Sequence, residues 1–157
     1  MRFDIVSDTH GYLSDELLEA LVGADVIVHA GDMCSMSDLM RLERIAPVQM
    51  CLGNNDWGND YGPSVKRLTR FSSEGLRWQI CHYRERLDLV TCDVAICGHT
   101  HRPYFERDKR TGTYIMNPGS PTFPRTAKGP TFGRIIAKSG KILMAEIISL
   151  KREHERW

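Results

Sequence analysis

The sequence lacks an apolar run long enough to cross a membrane, a CxxC cysteine pair and an excess of charge of one sign. A membrane-spanning helix needs about 20 consecutive apolar residues, so we expect no membrane insertion. The 21 basic and 20 acidic residues leave a net charge of +1, which argues against general nucleic-acid binding, since such proteins carry a basic patch or stripe. The N-terminal apolar segment is also too short for a secretory leader. Together these absences predict a cytoplasmic protein.

The five cysteines are odd in number and do not suggest a disulfide framework. Cys51, Cys81, Cys92 and Cys97 lie in or beside apolar runs, where cysteine behaves as a small hydrophobic residue. We expect these four thiols to be reduced and buried. Cys34 is the exception, because it lies in a loop that also holds a candidate metal ligand.

At 157 residues the chain is long enough for one domain with a substantial core. We place that domain at residues 1–150 and a charged C-terminal tail at residues 151–157. In the first half, short apolar strands alternate with amphipathic helices, which is typical of a parallel sheet covered on both faces. The strands are predicted at residues 3–7, 26–29 and 47–52, and the helices at residues 14–21, with Ser14 as N-cap, and 37–45.

The second half consists mainly of strand patterns, joined by the turn sequences "SSEG", "KRTG" and "KSGK". Strands are predicted at residues 68–71, 76–81, 94–97, 104–107, 114–117, 132–137 and 142–150. A helical pattern is limited to residues 83–89. We therefore expect an α/β protein with two sheets, the second largely antiparallel. The apolar strand at 142–150 could form a homo-oligomer contact or be an ordinary core strand.

Polar side chains follow the predicted strands at the point where the strands end. These are Asp8, His10, Asp32, Asn54, His82, His99 and His101. Because sites in parallel sheets gather beyond the carboxyl ends of the strands, we expect these side chains to lie close together. Imidazole and carboxylate ligands suit Zn²⁺, Mn²⁺, Fe or Ni²⁺ better than Ca²⁺ or Mg²⁺. One zinc takes only three or four protein ligands, so the whole set predicts two metals that share a carboxylate.

The motifs "DTH", "GD", "GNND", a strand-end histidine and "GHTH" occur in this order and are followed by "NPGSP". Taken together they resemble the calcineurin-like metallophosphoesterase superfamily, and most closely its small prokaryotic phosphodiesterase branch. The resemblance extends from residue 1 to about residue 150. It implies a four-layer α/β/β/α sandwich in which two mixed sheets are flanked by helices.

The resemblance also implies a role for each site residue. The first metal would be held by Asp8, His10 and His101. The second metal would be held by Asn54, His82 and His99, with Asp32 bridging the two. The implied catalytic set is Asp32, Asn54, Asn55 and His99. The implied cofactors are two divalent transition-metal ions, with Mn²⁺ expected and Zn²⁺, Ni²⁺ or Fe²⁺ as alternatives.

The implied reaction is hydrolysis of a small phosphodiester by attack of a metal-bridging hydroxide on phosphorus. Two divalent cations with Asp8 and Asp32 leave a formal charge of about +2, which attracts an anionic phosphate. The sequence has no G-x-S-x-G motif, so no serine nucleophile of that kind is expected. A phosphomonoesterase or nucleotidase stays open, as does a non-enzymatic interaction scaffold like the small retromer subunit.

Some positions depart from the family pattern. Asn55 stands where many members have a histidine that contacts substrate, and an amide cannot deliver a proton. This favours esters with good leaving groups, or proton delivery by water. Tyr83 replaces the glycine that commonly follows the strand-end histidine, which makes His82 the least securely assigned ligand.

Four further polar residues have supporting or open roles. We expect Asp56 to orient the ligand loop rather than bind metal. His29 would support the ligands or be structural. Arg84 and Arg86 could contact phosphate or be solvated surface residues.

Overall fold

The structure is a computed structural model that describes residues 1–57 and 61–151. Residues 152–157 of the predicted tail, including His154, lie outside the described residues. The described chain forms two five-stranded mixed sheets and two short α-helices. Neither of these helices is long and apolar enough to cross a membrane.

The elements alternate in the first half and are mainly strands in the second half. The strands of the described chain are β1 Arg2–Val6, β2 Val26–His29, β3 Val48–Met50, β4 Leu68–Ser73, β5 Leu76–Cys81, β6 Val94–Ile96, β7 Tyr104–Arg107, β8 Tyr114–Asn117, β9 Thr131–Lys138 and β10 Lys141–Ser149. The helices are α1 Asp15–Leu21 and α2 Met36–Glu43. Every strand predicted from the sequence has a counterpart here, four with the same ends (β2, β5, β7 and β8) and six with shifted ends.

The first sheet has the order β10-β9-β1-β2-β3. Its strands β1, β2 and β3 are parallel, whereas β9 is antiparallel to β1 and β10 to β9. The second sheet has the order β4-β5-β6-β8-β7. It is parallel in its β5–β6 and β6–β8 pairings and antiparallel in its β4–β5 and β7–β8 pairings.

The expectation of a largely antiparallel second sheet was wrong in two respects. Strands β9 and β10 return to the first sheet, and parallel pairings make up half of the second sheet. Turn sequences indicate hairpins. The turns "SSEG", "KRTG" and "KSGK" do connect the three hairpins β4–β5, β7–β8 and β9–β10. Parallel pairs need long crossovers, and no local sequence signal marks which distant strand such a connection meets.

The two sheets pack face to face and enclose the main core. Phe3 and Ile5 of the first sheet lie in one apolar cluster with Trp78, Ile96 and Met116 of the second. The Phe3 and Trp78 ring centroids are 4.3 Å apart. This face-to-face contact fixes the relation between the two sheets, and with it the edge where their strands end.

The outer faces of the sheets are covered by helices and short turns. Helices α1 and α2 pack on the first sheet through Leu17 and Leu42, which share a cluster with Ile27. The second sheet is covered by a segment with 3-10 turns at Arg84–Arg86 and Leu89–Thr91. The predicted four-layer sandwich of the metallophosphoesterase fold is thus confirmed.

The helix expected at residues 83–89 does not form, and single 3-10 turns take its place. The segment buries its apolar side chains Leu87 and Leu89 against the second sheet. These two side chains are two residues apart, a spacing that does not bring them onto one face of an α-helix. An extended segment with short turns can bury both.

The helix ends agree with their capping residues. The Ser14 hydroxyl accepts a hydrogen bond from the Leu17 amide, 3.1 Å away, as expected of an N-cap. Helix α2 begins one residue earlier than predicted and ends at Glu43. Met36 and Met40 of this helix are 44% and 52% exposed. They are spaced four apart on the solvent face, while Leu39 and Leu42 face the core.

The cysteines are all free. Cys51, Cys81, Cys92 and Cys97 are buried and Cys34 is exposed, so the expectation for each is confirmed. Burial raises the pKa of the Cys92 thiol to about 11, which keeps it protonated at neutral pH. The buried thiols therefore act as apolar core groups.

Candidate metal centre

Loops from both sheets meet at the edge where the parallel strands end. The Asp8 amide donates a hydrogen bond of 2.9 Å to the carbonyl of Gly31, which links the loops after β1 and β2. The His99 amide donates one of 3.0 Å to Asp8 Oδ2, which links the second sheet to the first. The loops after five separate strands thereby place their polar side chains in one region, as the sequence predicted.

Two carboxylates and three imidazoles form the centre of this region, and all of them except the partly exposed His10 are buried. The candidate ligand atoms of Asp8, His10 and His101 lie within 4.8 Å of one another, as do those of Asp8, Asp32 and His82. Asp8 Oδ1 is 3.3 Å from His101 Nε2 and 3.7 Å from His82 Nε2. Asp32 Oδ2 is 3.3 Å from His82 Nε2 and 3.8 Å from His10 Nε2. Both carboxylates therefore lie between histidines of the two groups.

Asn54 and His99 lie at the exposed side of this cluster. Asn54 Oδ1 is 3.3 Å from His99 Nδ1. The His99 ring lies against His82, with ring centroids 5.1 Å apart. All seven side chains predicted as ligands are thus in one neighbourhood, five in the two groups and this pair beside them.

Two ligand atoms in the cluster are buried without a partner. Asp8 Oδ1 and His82 Nε2 make no hydrogen bond within the described part of the chain. An unpaired buried polar atom costs about 1–3 kcal/mol, and more when it is charged. A divalent cation between the carboxylates and imidazoles would satisfy both atoms, so the residues present fit a bound metal.

The neighbours of two histidines fix the ring nitrogen that faces the cluster. His82 Nδ1 donates to the Ala30 carbonyl at 2.8 Å, and His101 Nδ1 donates to the Phe123 carbonyl at 2.7 Å. In the neutral ring the proton is then on Nδ1, and the Nε2 lone pair points at the carboxylates. This is the usual arrangement of metal-binding histidines.

The electrostatics keep the carboxylates ionised. Burial raises the pKa of Asp8, but the electrostatic interactions with His101 and His82 and the hydrogen bond from Ser7 outweigh this effect, so the pKa is lowered overall. Burial likewise opposes ionisation of Asp32, yet its interactions with His82 and Asn55 hold its pKa well below the usual value. The region is thus a site for cations.

Several candidate ligands have an unusual backbone conformation. Asp8, His10, Asp32, His99 and His101 have φ values of 56°, 50°, 57°, 72° and 58°. A non-glycine residue in this left-handed region costs about 1–3 kcal/mol, and such residues cluster at functional sites. In D-x-H and H-x-H, both named residues share this conformation.

Glycines next to the ligands allow the loops to approach closely. A Cβ at Gly98 would overlap Ser7 Oγ and lie 2.7 Å from Asp8 Oδ2. A Cβ at Gly53 would overlap the Asp32 backbone and side chain, and one at Gly31 would lie 2.8 Å from His82 Nδ1. Each "G" of the "GD", "GNND" and "GHTH" motifs therefore serves close packing of the cluster.

Asp56 joins two ligand loops through four hydrogen bonds. Its Oδ2 accepts from the amides of Asp32 and Gly53 at 2.7 and 2.8 Å. Its Oδ1 accepts from the Cys34 amide at 2.9 Å and the Tyr61 hydroxyl at 3.0 Å. Both oxygens are thus engaged away from the imidazoles, which agrees with an orienting role.

Asn55 contacts Asp32 with both its backbone and its side chain. Its amide nitrogen donates to Asp32 Oδ1 at 2.8 Å, and its Nδ2 donates to Asp32 Oδ2 at 3.0 Å. The side chain that replaces the family histidine is therefore used to hold a carboxylate of the cluster. The motif pattern placed Asn55 in the catalytic set and did not indicate this contact.

His29 contacts the loops after β1 and β2 through both of its ring nitrogens. Its Nδ1 accepts from the Gly31 amide at 3.2 Å, so its proton is on Nε2, which donates to Thr9 Oγ1 at 3.0 Å. Complete burial lowers its pKa to about 4. The ring is neutral at physiological pH and ties the loops after β1 and β2 together.

Arg84 and Arg86 make contacts outside the cluster. Arg84 forms an ion pair with Glu106 and lies 5.3 Å from the Tyr104 ring centroid. The Arg86 guanidinium lies 5.0 Å from the Tyr83 ring centroid. The structure thus shows both arginines as exposed residues with contacts at the surface.

The segment "NPGSP" supports the site through contacts that sequence reasoning missed. Asn117 Nδ2 donates to the Gly98 carbonyl at 3.0 Å, and Ser120 Oγ donates to the Asp8 carbonyl at 2.8 Å. Ser7 Oγ donates to Asp8 Oδ2 at 2.6 Å. The motif order marked "NPGSP" as part of the pattern, but no spacing in the sequence identifies these partners.

Comparison with known proteins assigns the chain to a family. Residues 1–140 match the family model of the calcineurin-like phosphoesterase superfamily domain. The chain belongs to this superfamily, and the resemblance inferred from its motifs is confirmed. The family and the cluster together support binding of divalent metal ions.

Individual proteins of this kind are similar over nearly the whole chain. A probable metallophosphoesterase of Methanothermobacter thermautotrophicus is 32% identical over 164 residues, covering 94% of this chain and 92% of the relative. The solved structure of an archaeal phosphodiesterase has a TM-score of 0.68 at 21% identity, covering 94% of this chain and all of the other. A Vps29 variant of Entamoeba histolytica has a TM-score of 0.72 at 18% identity, covering 96% and 100%. The two structures show a shared fold.

Proposed function

We propose that the protein is a dimetal-dependent phosphodiesterase that hydrolyses small phosphodiesters. The observation that supports this most is the pair of buried, unpartnered ligand atoms, Asp8 Oδ1 and His82 Nε2, within a cluster of carboxylates and imidazoles. Membership of the superfamily makes phosphoester hydrolysis the chemistry to expect of such a cluster.

The proposed ligand sets follow the order of the motifs. Asp8, His10 and His101 would hold one ion. Asn54, His82 and His99 would hold the other, and Asp32 would be shared by both. We expect Mn²⁺, with Zn²⁺, Ni²⁺ or Fe²⁺ as alternatives. Ions held here would supply a nucleophile from water at neutral pH and attract the phosphate oxygens.

The residues around the site indicate which esters the protein would hydrolyse best. Asn55 fixes Asp32 through two hydrogen bonds, and its side-chain amide cannot transfer a proton to a leaving group. In hydrolysis the water oxygen bonds to phosphorus, the bond from phosphorus to the leaving oxygen breaks, and the leaving oxygen takes up a proton from solvent. Esters with good leaving groups are therefore the favoured substrates.

An interaction scaffold on the same fold is the second candidate, since Vps29 is among the structures this chain resembles. The complete set of candidate ligands favours the enzyme instead, because a scaffold has no need of buried, unpartnered metal-binding atoms. A phosphomonoesterase would use the same residues, so the substrate class has to be measured.

The test is hydrolysis of bis(p-nitrophenyl) phosphate and of p-nitrophenyl phosphate, with Mn²⁺ and with a chelator. We expect Mn²⁺-dependent turnover with the diester preferred, and a loss of at least about 100-fold in Asp32→Ala, since even partners of metal ligands cost 10–100-fold. Asp93→Ala is the matched control, because this carboxylate pairs with Arg77 at the surface and its loss should leave turnover intact. Absence of metal-dependent turnover, or full activity of Asp32→Ala, would refute the proposal.

A further inference from the structure

In the described part of the chain three Phe, Tyr or Trp rings are exposed: Tyr12 and Trp57 in loops that hold candidate ligands, and Phe123 beside His10 and His101. Tyr12, Trp57 and Phe123 are 46%, 78% and 55% exposed. Tyr12 follows His10 by two residues, and Trp57 follows Asn54 by three. Aromatic side chains usually lie at least partly inside the protein, so exposed rings from three separate loops at one site call for an apolar, flat ligand group.

Phe123 is the ring that the structure places most directly. Its ring meets His10 edge-on, with centroids 5.5 Å apart and an interplanar angle of 72°. Its carbonyl accepts from His101 Nδ1 at 2.7 Å, and its amide donates to Ser120 Oγ at 2.9 Å. The backbone is thus anchored on both sides of the residue, and the half-exposed ring stands beside two candidate ligands.

Positive charge accompanies these rings. Arg102 directly follows His101, Arg125 follows Phe123 by two residues, and both arginines are exposed. Cations near a phosphate-binding centre attract an anionic ester. The net charge of +1 gives no extended basic stripe that a long nucleic acid would require, which limits the ligand to a small ester.

We propose that the site takes small phosphodiesters of nucleosides, with the nucleobase stacked on Phe123 and with Tyr12 and Trp57 bordering the same space. This inference rests on the proposed phosphodiesterase function. It adds that one ester group of the substrate is a nucleoside. Stacking of a base on an aromatic side chain is tolerant of base identity, so all four bases are accepted and abasic esters are poor substrates.

The test compares two esters that share one leaving group. Thymidine 5′-(p-nitrophenyl phosphate) and methyl p-nitrophenyl phosphate both release p-nitrophenol, and only the first has a base. We expect wild type to favour the thymidine ester by about tenfold or more in kcat/KM, a range typical of one base–aromatic stack. In Phe123→Leu, which keeps an apolar contact with His10, this preference should fall about fivefold or more.

Phe71→Leu is the matched control, because the Phe71 ring stacks on Trp78, with centroids 5.5 Å apart, between strands β4 and β5. It should keep the wild-type preference. An equal rate for both esters in wild type, or an unchanged preference in Phe123→Leu, would overturn the inference while leaving the phosphodiesterase intact.

Binding supplies a readout that does not depend on turnover. Calorimetric titration with thymidine 5′-monophosphate and with methyl phosphate, in the presence of Mn²⁺, should show tighter binding of the nucleotide in wild type and a reduced difference in Phe123→Leu. If neither ester is hydrolysed, the proposed function fails, and this titration still decides on the base site. Equal affinities for the two phosphates would then overturn the inference.

Discussion

At the scale of single residues, the site combines ligands in a strained backbone conformation with glycines that allow the loops to pack closely. Asp8 and Asp32 have left-handed φ values, and Gly53 and Gly98 stand where any Cβ would overlap a neighbouring loop. The residue types and their order were predictable, because carboxylates and imidazoles follow apolar strands. The left-handed conformation was not, since it is imposed by contacts between loops rather than by local preference.

Gly98→Ala tests whether close approach of the loops is needed for metal binding. The added Cβ would overlap Ser7 Oγ and crowd Asp8, so we expect Mn²⁺ affinity to fall by about tenfold or more and unfolding free energy by about 1–3 kcal/mol. Calorimetric titration and thermal denaturation measure the two effects.

Gly133→Ala is the control, because its Cβ would overlap Met116 in the core. It should lose comparable stability and keep the affinity, and a parallel loss in both variants would contradict the account.

At the scale of elements, strands and hairpins were predictable but their assembly was not. The alternation of strand and helix patterns located β1, α1 and β2 closely. The return of strands β9 and β10 to the first sheet was not predicted, because nothing local in residues 131–149 records that β9 pairs with β1. Pairing across more than a hundred residues depends on the whole core rather than on turn chemistry.

Asp56→Asn tests the link between the loops after β2 and β3. Each Asp56 oxygen accepts two hydrogen bonds, so an amide group in its place would point N–H donors at N–H or O–H donors. We expect a loss of about 2 kcal/mol in unfolding free energy and a fall of about 10–100-fold in metal affinity. Urea denaturation and Mn²⁺ titration provide the two numbers.

Asp4→Asn is the comparison for this loop variant. Asp4 is buried in the middle of β1, where it accepts hydrogen bonds from Arg2 and Arg134. Its replacement should destabilise the protein without weakening metal binding, since these contacts are outside the ligand loops. Wild-type metal affinity in Asp56→Asn would show that the loops hold their positions without this carboxylate.

At the scale of the whole molecule, the site exists because the two sheets end at the same edge. The first sheet supplies Asp8 and Asp32 and the second supplies His82 and His101, so the buried groups include residues of both. The motif order predicted this meeting through family resemblance, since the spacing of residues 32 and 82 alone does not show that they touch. The partners in "NPGSP" and the contact from Asn55 to Asp32 emerge only when the sheets are packed.

The most direct test of the dinuclear centre is the metal content of the purified protein. After equilibration with Mn²⁺ and removal of free ions, elemental analysis and native mass spectrometry should find two divalent ions per wild-type chain. Asp32→Ala should retain fewer, because it lacks the carboxylate placed between His10 and His82. Fewer than one tightly bound ion per wild-type chain would contradict the dinuclear centre and favour an interaction scaffold.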